Sequence, residues 1–442
     1  MADAAGEARL DTSIKTLGPA VLDSPLAHRR FVRDVPPVRV QITSEDFNEI
    51  DGELLLELEP AGPREKIFFD PKTAKAAIVT CGGLCPGLND VIRALVLESH
   101  YNYGLAECFG VPYGLEGFIP SYGHQWLKLT PDLVSDINEF GGTILASSRG
   151  PQPAEAVVDA LEHRGVSILF IVGGDGTMKA ARRIQEEVER RGARIAVVGV
   201  PKTIDNDIEG VDPSFGFNTA VAKAAEAIGC AHVEAKGAKN GIGLVKVMGR
   251  ESGFIAAHAA LANRVVNFVL IPECPFSLTG QGGLLPALKT RLLARGHAVI
   301  VAAEGSGQDL FGASGAKDAS GNPVLGDVCG LLRKEIKAYL DAQGLEHTLK
   351  FIDPSYTIRS VPASAEDRIF CGFLGRHAVH AAMAGKTGLV VSKVMGRFVH
   401  LPFRIVTSRR RKLNVESDYW SAVLESTGQY SPMDMCACDA SG

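Results

Sequence analysis

Residues 168–200 read ILFIVGGDGTMKAARRIQEEVERRGARIAVVGV, and they show the pattern on which the rest of the protein is built. Its two apolar runs, Ile168–Val172 and Ile195–Val200, have the length and the β-branched content of buried strands. Between the runs, apolar side chains recur at helical spacing, and a glycine follows where it would end a helix. The apolar positions are Met178, Ala181, Ile184 and Val188, and the glycine is Gly192. The stretch therefore predicts a β-loop-α-β unit.

The same alternation continues on both sides of this unit, beginning at Ala74. Further predicted strands are Ala76–Thr80, Ile242–Val247, Phe268–Ile271, Ala298–Ala302 and Leu389–Val391. Strands that alternate with helices favour a mostly parallel sheet covered by helices. Because 442 residues exceed the size at which one hydrophobic core stops growing, we predict an α/β protein with two Rossmann-like domains.

A short internal repeat lies within this pattern. Residues 246–250 and 393–397 are both KVMGR, and both follow predicted strands, so the repeat raises the hypothesis of two similar half-domains. Residues 1–75 contain few long apolar runs and predict an extension that packs on the body or contacts another subunit. The tail from Ser426 predicts a loosely structured C-terminus.

Composition and charge exclude several classes of function. The formal net charge is -5, from 46 basic and 51 acidic residues, which gives no electrostatic footprint for nucleic acid. The N-terminus lacks the pattern of a secretion signal, and no apolar run approaches the roughly 20 residues that cross a membrane. The nine cysteines include no C-x-x-C pair, so they predict reduced thiols rather than a zinc site or disulfides. We expect a cytoplasmic protein that binds neither nucleic acid nor membranes.

Two glycine-rich loops follow predicted strands, GGLCPGLN at 82–89 and GGDGT at 173–177. Glycines let backbone N–H groups approach phosphate oxygens, and a following helix adds the positive end of its dipole. Neither loop is a Walker A or a G-x-G-x-x-G sequence, and either loop taken alone could be a tight β-α turn. Asp175 favours the phosphate site, because a carboxylate beside phosphates needs a cation such as Mg²⁺. Arg149 could clamp a phosphate or lie on a surface loop.

An acidic cluster, PKTIDND at 201–207, follows the very apolar strand that ends at Val200. It is predicted to lie at the same edge of the sheet as the glycine loops. Asp205 could accept a proton from an attacking hydroxyl, while Asp207 orients the site or helps with the metal. Taken alone, Asp-Asn-Asp is also typical of a turn or a helix cap.

Together, these motifs resemble those of the phosphofructokinases, over about residues 75–411. The motifs that carry the resemblance are CGGLCPGLN (81–89), GGDGT (173–177), PKTIDND (201–207), MGRESG (248–253), AAEG (302–305) and YTIR (356–359). The resemblance implies the phosphofructokinase fold, with the active site in the cleft between the domains. The implied boundaries are an N-terminal extension 1–75, a nucleotide-binding domain 76–215 plus about 359–410, a sugar-phosphate-binding domain 216–358 and a C-terminal extension 411–442.

The resemblance also implies residue roles in the phosphorylation of fructose 6-phosphate by ATP with Mg²⁺, a step of glycolysis. Asp205 would be the general base for the sugar's 1-hydroxyl, and Arg359 would hold its 6-phosphate. The implied catalytic residues are Asp205, Lys202, Asp207 and Arg250. The implied substrate-binding residues are Thr203, Ile204, Asp205, Met248, Gly249, Arg250, Glu304, Tyr356, Thr357, Ile358 and Arg359. The implied nucleotide-binding residues are Gly83, Arg149, Gly150, Gly174, Asp175, Gly176 and Thr177, with Asp175 as the metal residue.

Two residues disagree about the phosphoryl donor. Pyrophosphate-dependent members of the family resemble GGDD where this chain has Gly176, and an aspartate there would crowd and repel the nucleotide's α-phosphate. Lys202, by contrast, is typical of pyrophosphate users. The combination resembles the ATP-dependent branch of plants and trypanosomatids, so we predict ATP and keep pyrophosphate as the second candidate.

Two different classes of protein share part of this pattern. A kinase of NAD or of lipids also carries GGDGT, although PKTIDND and YTIR oppose it. A non-catalytic regulatory subunit should have lost Asp175, Asp205 or Arg250, and all three are present.

The family resemblance also implies an allosteric homotetramer or homodimer. The arginine that short bacterial enzymes place in the neighbouring subunit's site is missing here, and Lys239 or Lys350 could replace it. The run SRRRK at 408–412 could bind an anionic effector or form a solvated face.

Overall fold

The computed structural model describes residues 10–26, 30–34, 37–42, 54–312 and 323–429. The chain divides into two compact units, which we call the first unit (1–216 and 359–411) and the second unit (217–358 and 412–442). The strands are β1 (Lys15–Thr16), β2 (Leu22–Asp23), β3 (Val38–Ile42), β4 (Leu54–Pro60), β5 (Lys66–Ile67), β6 (Lys75–Thr80), β7 (Glu107–Val111), β8 (Leu127–Lys128), β9 (Ile168–Gly173), β10 (Ala196–Pro201), β11 (Gly241–Val247), β12 (Phe268–Leu270), β13 (His297–Ala303), β14 (Thr348–Ile352), β15 (Lys386–Thr387), β16 (Leu389–Val394) and β17 (Arg397–Pro402). The helices are α1 (Leu88–Leu97), α2 (Ala154–His163), α3 (Asp175–Arg191), α4 (Phe217–Lys236), α5 (Phe254–Asn263), α6 (Leu284–Arg295), α7 (Val328–Ala342), α8 (Ser355–Ser360), α9 (Ala365–Met383), α10 (Phe403–Val406) and α11 (Asp418–Thr427).

The first unit is built on a nine-stranded sheet of order β3-β4-β17-β16-β10-β9-β6-β7-β8. Its middle strands, from β16 to β7, pair in parallel, and the outer pairs are antiparallel. Strands β9 and β10 are buried along their whole length, which explains their unbroken apolar sequence. The parallel α/β sheet that the sequence predicts is therefore confirmed. Strands β6, β9 and β10 lie within one residue of their predicted bounds, whereas β16 extends three residues beyond its predicted end.

Helix α3 shows how the local pattern forms this unit. Its apolar stripe is buried, including Met178 and Ile184, and the helix ends at Gly192, whose φ of 64° lies in the left-handed region. Each such side chain, once buried, contributes about 1.5–3 kcal/mol of hydrophobic free energy. The helix begins at Asp175, immediately after β9, so its N-terminus lies at the carboxyl edge of the sheet.

The second unit contains a four-stranded sheet of order β12-β13-β11-β14, in which every pair is parallel. Helix α4 contacts β11, β13 and β14, and α5 contacts β12 and β13. Among the residues that the structure describes, no helix is long and apolar enough to span a bilayer. Cys274 forms a disulfide bond, so the expectation of reduced thiols is wrong for this cysteine.

The segment before residue 75 is part of the first unit's sheet. Strand β4 pairs with β17, and β3 pairs with β4. At this junction the Glu59 carboxylate accepts from His400 Nδ1 at 2.7 Å and from Lys386 Nζ at 2.8 Å. Burial alone raises the pKa of Glu59, but these two partners outweigh it and lower the pKa to about 2. The segment is thus joined to the unit by backbone pairing and by buried charge.

The end of the described chain closes an edge of the second unit's sheet. Gln429 uses its side-chain amide as a strand would, because Val269 N in β12 donates to Oε1 at 2.7 Å and Nε2 donates to Val269 O at 3.5 Å. Gln429 is buried, and α11 before it contacts α5. The prediction of a loosely structured tail from Ser426 is therefore wrong for residues 426–429, and the rest of that tail lies outside the described residues.

Gln429→Ala is expected to destabilise the protein by about 1–3 kcal/mol, because it leaves the buried Val269 N–H without its acceptor. Urea unfolding and hydrogen exchange at 268–270 measure the effect. We expect a lower urea midpoint and faster exchange of the Val269 amide. Gln125→Ala removes an exposed glutamine amide and serves as the control. An unchanged rate of hydrogen exchange at the Val269 amide in Gln429→Ala would show that the Gln429 side chain does not protect this strand.

Candidate active site

Three loops meet at one edge of the first unit's sheet. They follow β6, β9 and β10, which are consecutive neighbours in the sheet and run in parallel. Parallel strands end at the same edge, so the loops 81–87, 173–177 and 202–207 lie side by side. The structure thus brings together both glycine-rich loops and the aspartate cluster, as the sequence predicts.

The first glycine loop is joined to the loop that carries Arg149. The Gly82 carbonyl accepts from the Ser147 hydroxyl at 2.7 Å, and Gly82 N donates to the Ser148 carbonyl at 3.2 Å. Arg149 Nη2 lies 3.6 Å from the position that a Cβ on Gly83 would take. Arg149 and Gly150 are therefore placed beside Gly83, where a guanidinium can reach a phosphate bound by the loop.

The second glycine loop passes directly into α3. A Cβ on Gly173 would lie 2.3 Å from Thr177 Oγ1, so only glycine fits where the turn folds back on its own helix. Gly174 is the N-cap residue of α3, and Gly176 in the first turn is exposed. The free N–H groups of this turn and the helix dipole form a site suited to a phosphate.

Asp175 is buried at the start of α3, and its two carboxylate oxygens differ. Oδ2 accepts from Lys179 Nζ at 2.9 Å and from Arg410 Nε at 3.2 Å. Oδ1 is buried and has no hydrogen-bond partner in the described part of the chain. The carboxylate is therefore held by one oxygen while the other remains available to a ligand.

The aspartate cluster is a braced turn. Asp205 N donates to Thr203 Oγ1 at 3.1 Å, and Thr203 Oγ1 donates to Asp207 Oδ1 at 2.7 Å. Asn206 adopts a φ of 57°, and its Oδ1 accepts from Ser214 N at 2.9 Å. Ile204 is buried, so its side chain serves the core. The turn fixes the backbone at Asp205 without using its carboxylate in those bonds.

The two aspartates differ in environment. Burial raises the pKa of Asp207, and the hydrogen bond from Thr203 and the charge of Arg410 partly oppose that rise. Its bond from Thr203 makes Asp207 a support for the turn. Asp205 is held in the turn through its backbone N–H, which donates to Thr203 Oγ1. The bonds that form the turn therefore do not use the Asp205 carboxylate.

Lys202, at the start of the third loop, is hydrogen-bonded to both of the other loops. Its Nζ donates to the Gly83 carbonyl at 2.8 Å, and its backbone N donates to the Gly173 carbonyl at 2.9 Å. Burial lowers the pKa of Lys202, and the nearby Asp205 and Asp207 charges oppose that effect. Lys202 is thus a buried residue of the aspartate cluster that is hydrogen-bonded to both glycine loops.

In the second unit, the loops after β11 and β13 approach closely. Gly305 N donates to the Gly249 carbonyl at 3.0 Å, and a Cβ on Gly305 would collide with the Arg250 carbonyl. Gly249 has a φ of 133°, which favours glycine. Arg250 Nη2 donates to the Pro323 carbonyl, and Glu304 N donates to the Val247 carbonyl at 3.0 Å. Met248, Gly249, Arg250 and Glu304 thus meet at the carboxyl edge of this sheet.

The YTIR motif forms most of α8, after β14 at the same carboxyl edge. Tyr356 and Thr357 are exposed, whereas Ile358 is fully buried and serves the core. Arg359 belongs to the first unit. The two candidates for the missing arginine are both in surface ion pairs, Lys239 with Glu346 and Lys350 with Glu234.

A magnesium ion fits the donor set at Asp175. Its Oδ1 is a buried acceptor without a partner among the described residues, and carboxylate oxygen is the ligand that Mg²⁺ prefers. The described residues contain no group of three His, Cys, Asp or Glu side chains that could hold a metal. Such a site fits an ion that takes one protein carboxylate and completes its shell with water and substrate phosphates.

Sequence reasoning missed Lys179 and Arg410 as neighbours of Asp175. Lys179 has a sequence signal, because it lies four residues after Asp175 on the same helix, the spacing of an i,i+4 ion pair. Arg410 has no such sequence signal beyond its place in a basic run, because it lies 235 residues from Asp175.

Comparison with known proteins shows which family the chain resembles. The family model described as Phosphofructokinase matches residues 75–382. The ATP-dependent 6-phosphofructokinase of Borreliella burgdorferi is 47% identical, over 95% of this chain and 97% of its own length. ATP-dependent 6-phosphofructokinase 7 of Arabidopsis thaliana is 46% identical, over 86% of this chain and 79% of its own.

Solved structures show the same fold at low identity. A pyrophosphate-dependent phosphofructokinase from Marinobacter aquaeolei aligns with a TM-score of 0.66 at 20% identity, covering 80% of this chain and 91% of that one. Phosphofructokinase from Pichia pastoris aligns with a TM-score of 0.62 at 21% identity, and the alignment covers 85% of this chain and 39% of the Pichia pastoris chain.

Proposed function

Because this chain belongs to the phosphofructokinase family, we propose that it transfers the terminal phosphoryl group of ATP to the 1-hydroxyl of fructose 6-phosphate. The products are fructose 1,6-bisphosphate and ADP, and the reaction is the committed step of glycolysis. The observation that carries the proposal is the adjacent placement of the Asp175 and Asp205 loops on neighbouring parallel strands. Such a placement suits a donor phosphate and an acceptor hydroxyl that must meet. ATP as the donor is supported by the names of the relatives.

In this mechanism the oxygen of the sugar's 1-hydroxyl attacks the γ-phosphorus, and Asp205 accepts the proton of that hydroxyl. The bond from the γ-phosphorus to the bridging oxygen breaks, and ADP leaves with that oxygen. The ammonium of Lys202 and the guanidinium of Arg250 stabilise the negative charge on the transferred group. The turn that Thr203 and Asp207 form keeps the base in place.

The donor is held by the first unit's glycine loops. Backbone N–H groups at Gly83 and at Gly174–Thr177 bind its phosphates, and the Arg149 loop, with Gly150, clamps them from the side. Asp175 would hold Mg²⁺ through Oδ1, and the ion, when bound, supplies positive charge that neutralises the donor phosphates.

The acceptor is held by residues from several loops. Arg359 binds the 6-phosphate, Glu304 accepts hydrogen bonds from sugar hydroxyls, and Met248–Arg250 contact the sugar phosphate. Tyr356 and Thr357, which are exposed, contact the same substrate. Thr203 and Ile204 contact it from the loop of the base, Ile204 through its backbone because its side chain is buried.

Pyrophosphate is the second candidate donor, and the buried Lys202 is the observation that favours it. A coupled assay of the purified protein with fructose 6-phosphate and Mg²⁺, run with ATP and then with pyrophosphate, separates the two. We expect turnover with ATP. Turnover with pyrophosphate alone would overturn the donor, and failure with both donors would overturn the phosphofructokinase reaction.

The assembly and the compartment complete the proposal. We expect a homotetramer or homodimer that is regulated by an allosteric effector and works in the cytoplasm. Light scattering of the purified protein tests the first of these expectations, and a monomer would contradict it.

A further inference from the structure

The basic run 408–412 lies along the aspartate cluster. Arg411 N donates to the Asp207 carbonyl at 2.9 Å, and Arg410 forms an antiparallel β-bridge with Ile208. The backbone of the run is therefore fixed against the loop that carries Asp205. Its arginine side chains project from a segment with a defined position.

Each arginine of the run pairs with a different carboxylate of the first unit. Arg409 Nε donates to Glu209 at 3.0 Å, Arg410 Nε to Asp175 at 3.2 Å, and Arg411 Nη2 to Asp212 at 2.6 Å. These pairs argue against both an effector site and a solvated face, because the guanidinium groups are engaged with the protein's own acids. The pair of Arg410 involves a residue of the donor site.

The geometry at Asp175 shows what this pair can do. Lys179 and Arg410 both donate to Oδ2, which leaves Oδ1 without a hydrogen bond from the described residues. The Lys179 side chain is 49% exposed, so its ion pair with Asp175 contributes little free energy. The Arg410 side chain is only 22% exposed. Arg410 is therefore the stronger restraint on the orientation of the carboxylate.

We propose that Arg410 is a positioning residue for the phosphoryl donor. It holds the Asp175 carboxylate so that Oδ1 faces the metal–nucleotide complex, and its charge offsets that of Asp175 and Asp207 beside the incoming phosphates. This role rests on the proposed function. Partners that orient a metal-binding carboxylate affect metal affinity by about 10–100-fold when they are removed.

The test uses Mn²⁺–ADP as a probe, because Mn²⁺ replaces Mg²⁺ and reports its own binding by electron paramagnetic resonance. Arg410→Gln is expected to weaken Mn²⁺–ADP binding by about 10-fold or more. Arg410→Lys keeps the charge but loses the planar fork, so its binding should fall between those of Arg410→Gln and the wild type. Arg411→Gln removes the same charge from the next residue, whose partner Asp212 is exposed, and should change binding by less than about twofold.

Steady-state kinetics provide a second measurement. A general loss of structure would affect the binding of both substrates, whereas the loss of a positioning residue for the donor should affect only one KM. In Arg410→Gln the KM for Mg-ATP should rise by about 10-fold, while the KM for fructose 6-phosphate stays near that of the wild type. Equal weakening by Arg410→Gln and Arg411→Gln would assign the effect to net charge and overturn the role of Arg410.

The remaining outcomes are also decisive. Unchanged Mn²⁺–ADP binding in Arg410→Gln, with normal binding by the wild type, overturns the role of Arg410 alone. Failure of the wild type to bind Mn²⁺–ADP overturns the proposed use of ATP and this role with it. If circular dichroism shows that Arg410→Gln does not fold, Arg410→Lys decides, since binding equal to the wild type would overturn the proposal.

Discussion

Asp205→Asn is expected to lower kcat by about 10²-fold or more, the size associated with the loss of a general base. Asparagine has the shape of aspartate, but its amide cannot accept the proton of the sugar's hydroxyl. The turn should survive, because it depends on the backbone N–H of Asp205 and on the hydroxyl of Thr203. Steady-state rates with saturating fructose 6-phosphate and ATP measure the fall.

A carboxylate in the same loop region provides the control for this variant. Asp212→Asn removes an exposed acid that pairs with Arg411, and we expect less than about threefold change in kcat, as for other exposed ion pairs. Unfolding curves of both variants should match that of the wild type. Near-normal turnover of Asp205→Asn would remove this residue from the role of base.

Gly176→Asp is expected to reduce kcat/KM for ATP by about 10²-fold or more, because juxtaposed like charges cost several kcal/mol. The fold should tolerate the change. A Cβ at this position meets nothing within 4 Å among the described residues, and an acid in the first turn of α3 is favourable for the helix dipole. Activity with ATP and with pyrophosphate should be measured for each variant.

Two further substitutions separate charge from volume at this position. Gly176→Ala adds only a methyl group, and Gly176→Asn adds the volume of aspartate without its charge. We expect Gly176→Ala to keep most of its activity with ATP, and Gly176→Asn to lie between Gly176→Ala and Gly176→Asp. Equal use of ATP by Gly176→Asp and the wild type would show that this position does not select the donor.

The sequence predicts features that depend on neighbouring residues. The stripe of α3 and its stop at Gly192 follow from helical periodicity and the left-handed preference of glycine. The meeting of the Asp175 and Asp205 loops follows from the rule that parallel strands end at one edge. Both inferences need only local pattern and one general property of sheets.

Contacts between distant segments could not be predicted in this way. The pair of Arg410 and Asp175 spans 235 residues, and the clamp of Gln429 on Val269 spans 160. The Asp175 carboxylate and the Gln429 amide each have many possible partners in the sequence. Which partner each group binds depends on how the folded backbone brings distant segments together. Periodicity carries no information about that selection.

The KVMGR repeat shows a further limit. After β11, residues 248–253 form a loop that leads to α5, with Gly249 at a φ of 133°. After β16, Met395 and Gly396 form the turn of an antiparallel hairpin, with φ values of 47° and 78°. The same five residues therefore adopt two structures, and the hypothesis of matching half-domains gains no support from them.

The joining of β4 to β17 has a practical consequence for protein engineering. A chain trimmed to begin at Lys75, where the family match begins, would lose β3 and β4 and leave unpaired the edge of β17 that faces away from β16. Lys386 and His400, both buried, would lose the Glu59 carboxylate. An open strand edge beside uncompensated charge invites association with other chains, so the shortened protein would be a poor starting point for purification or crystallisation.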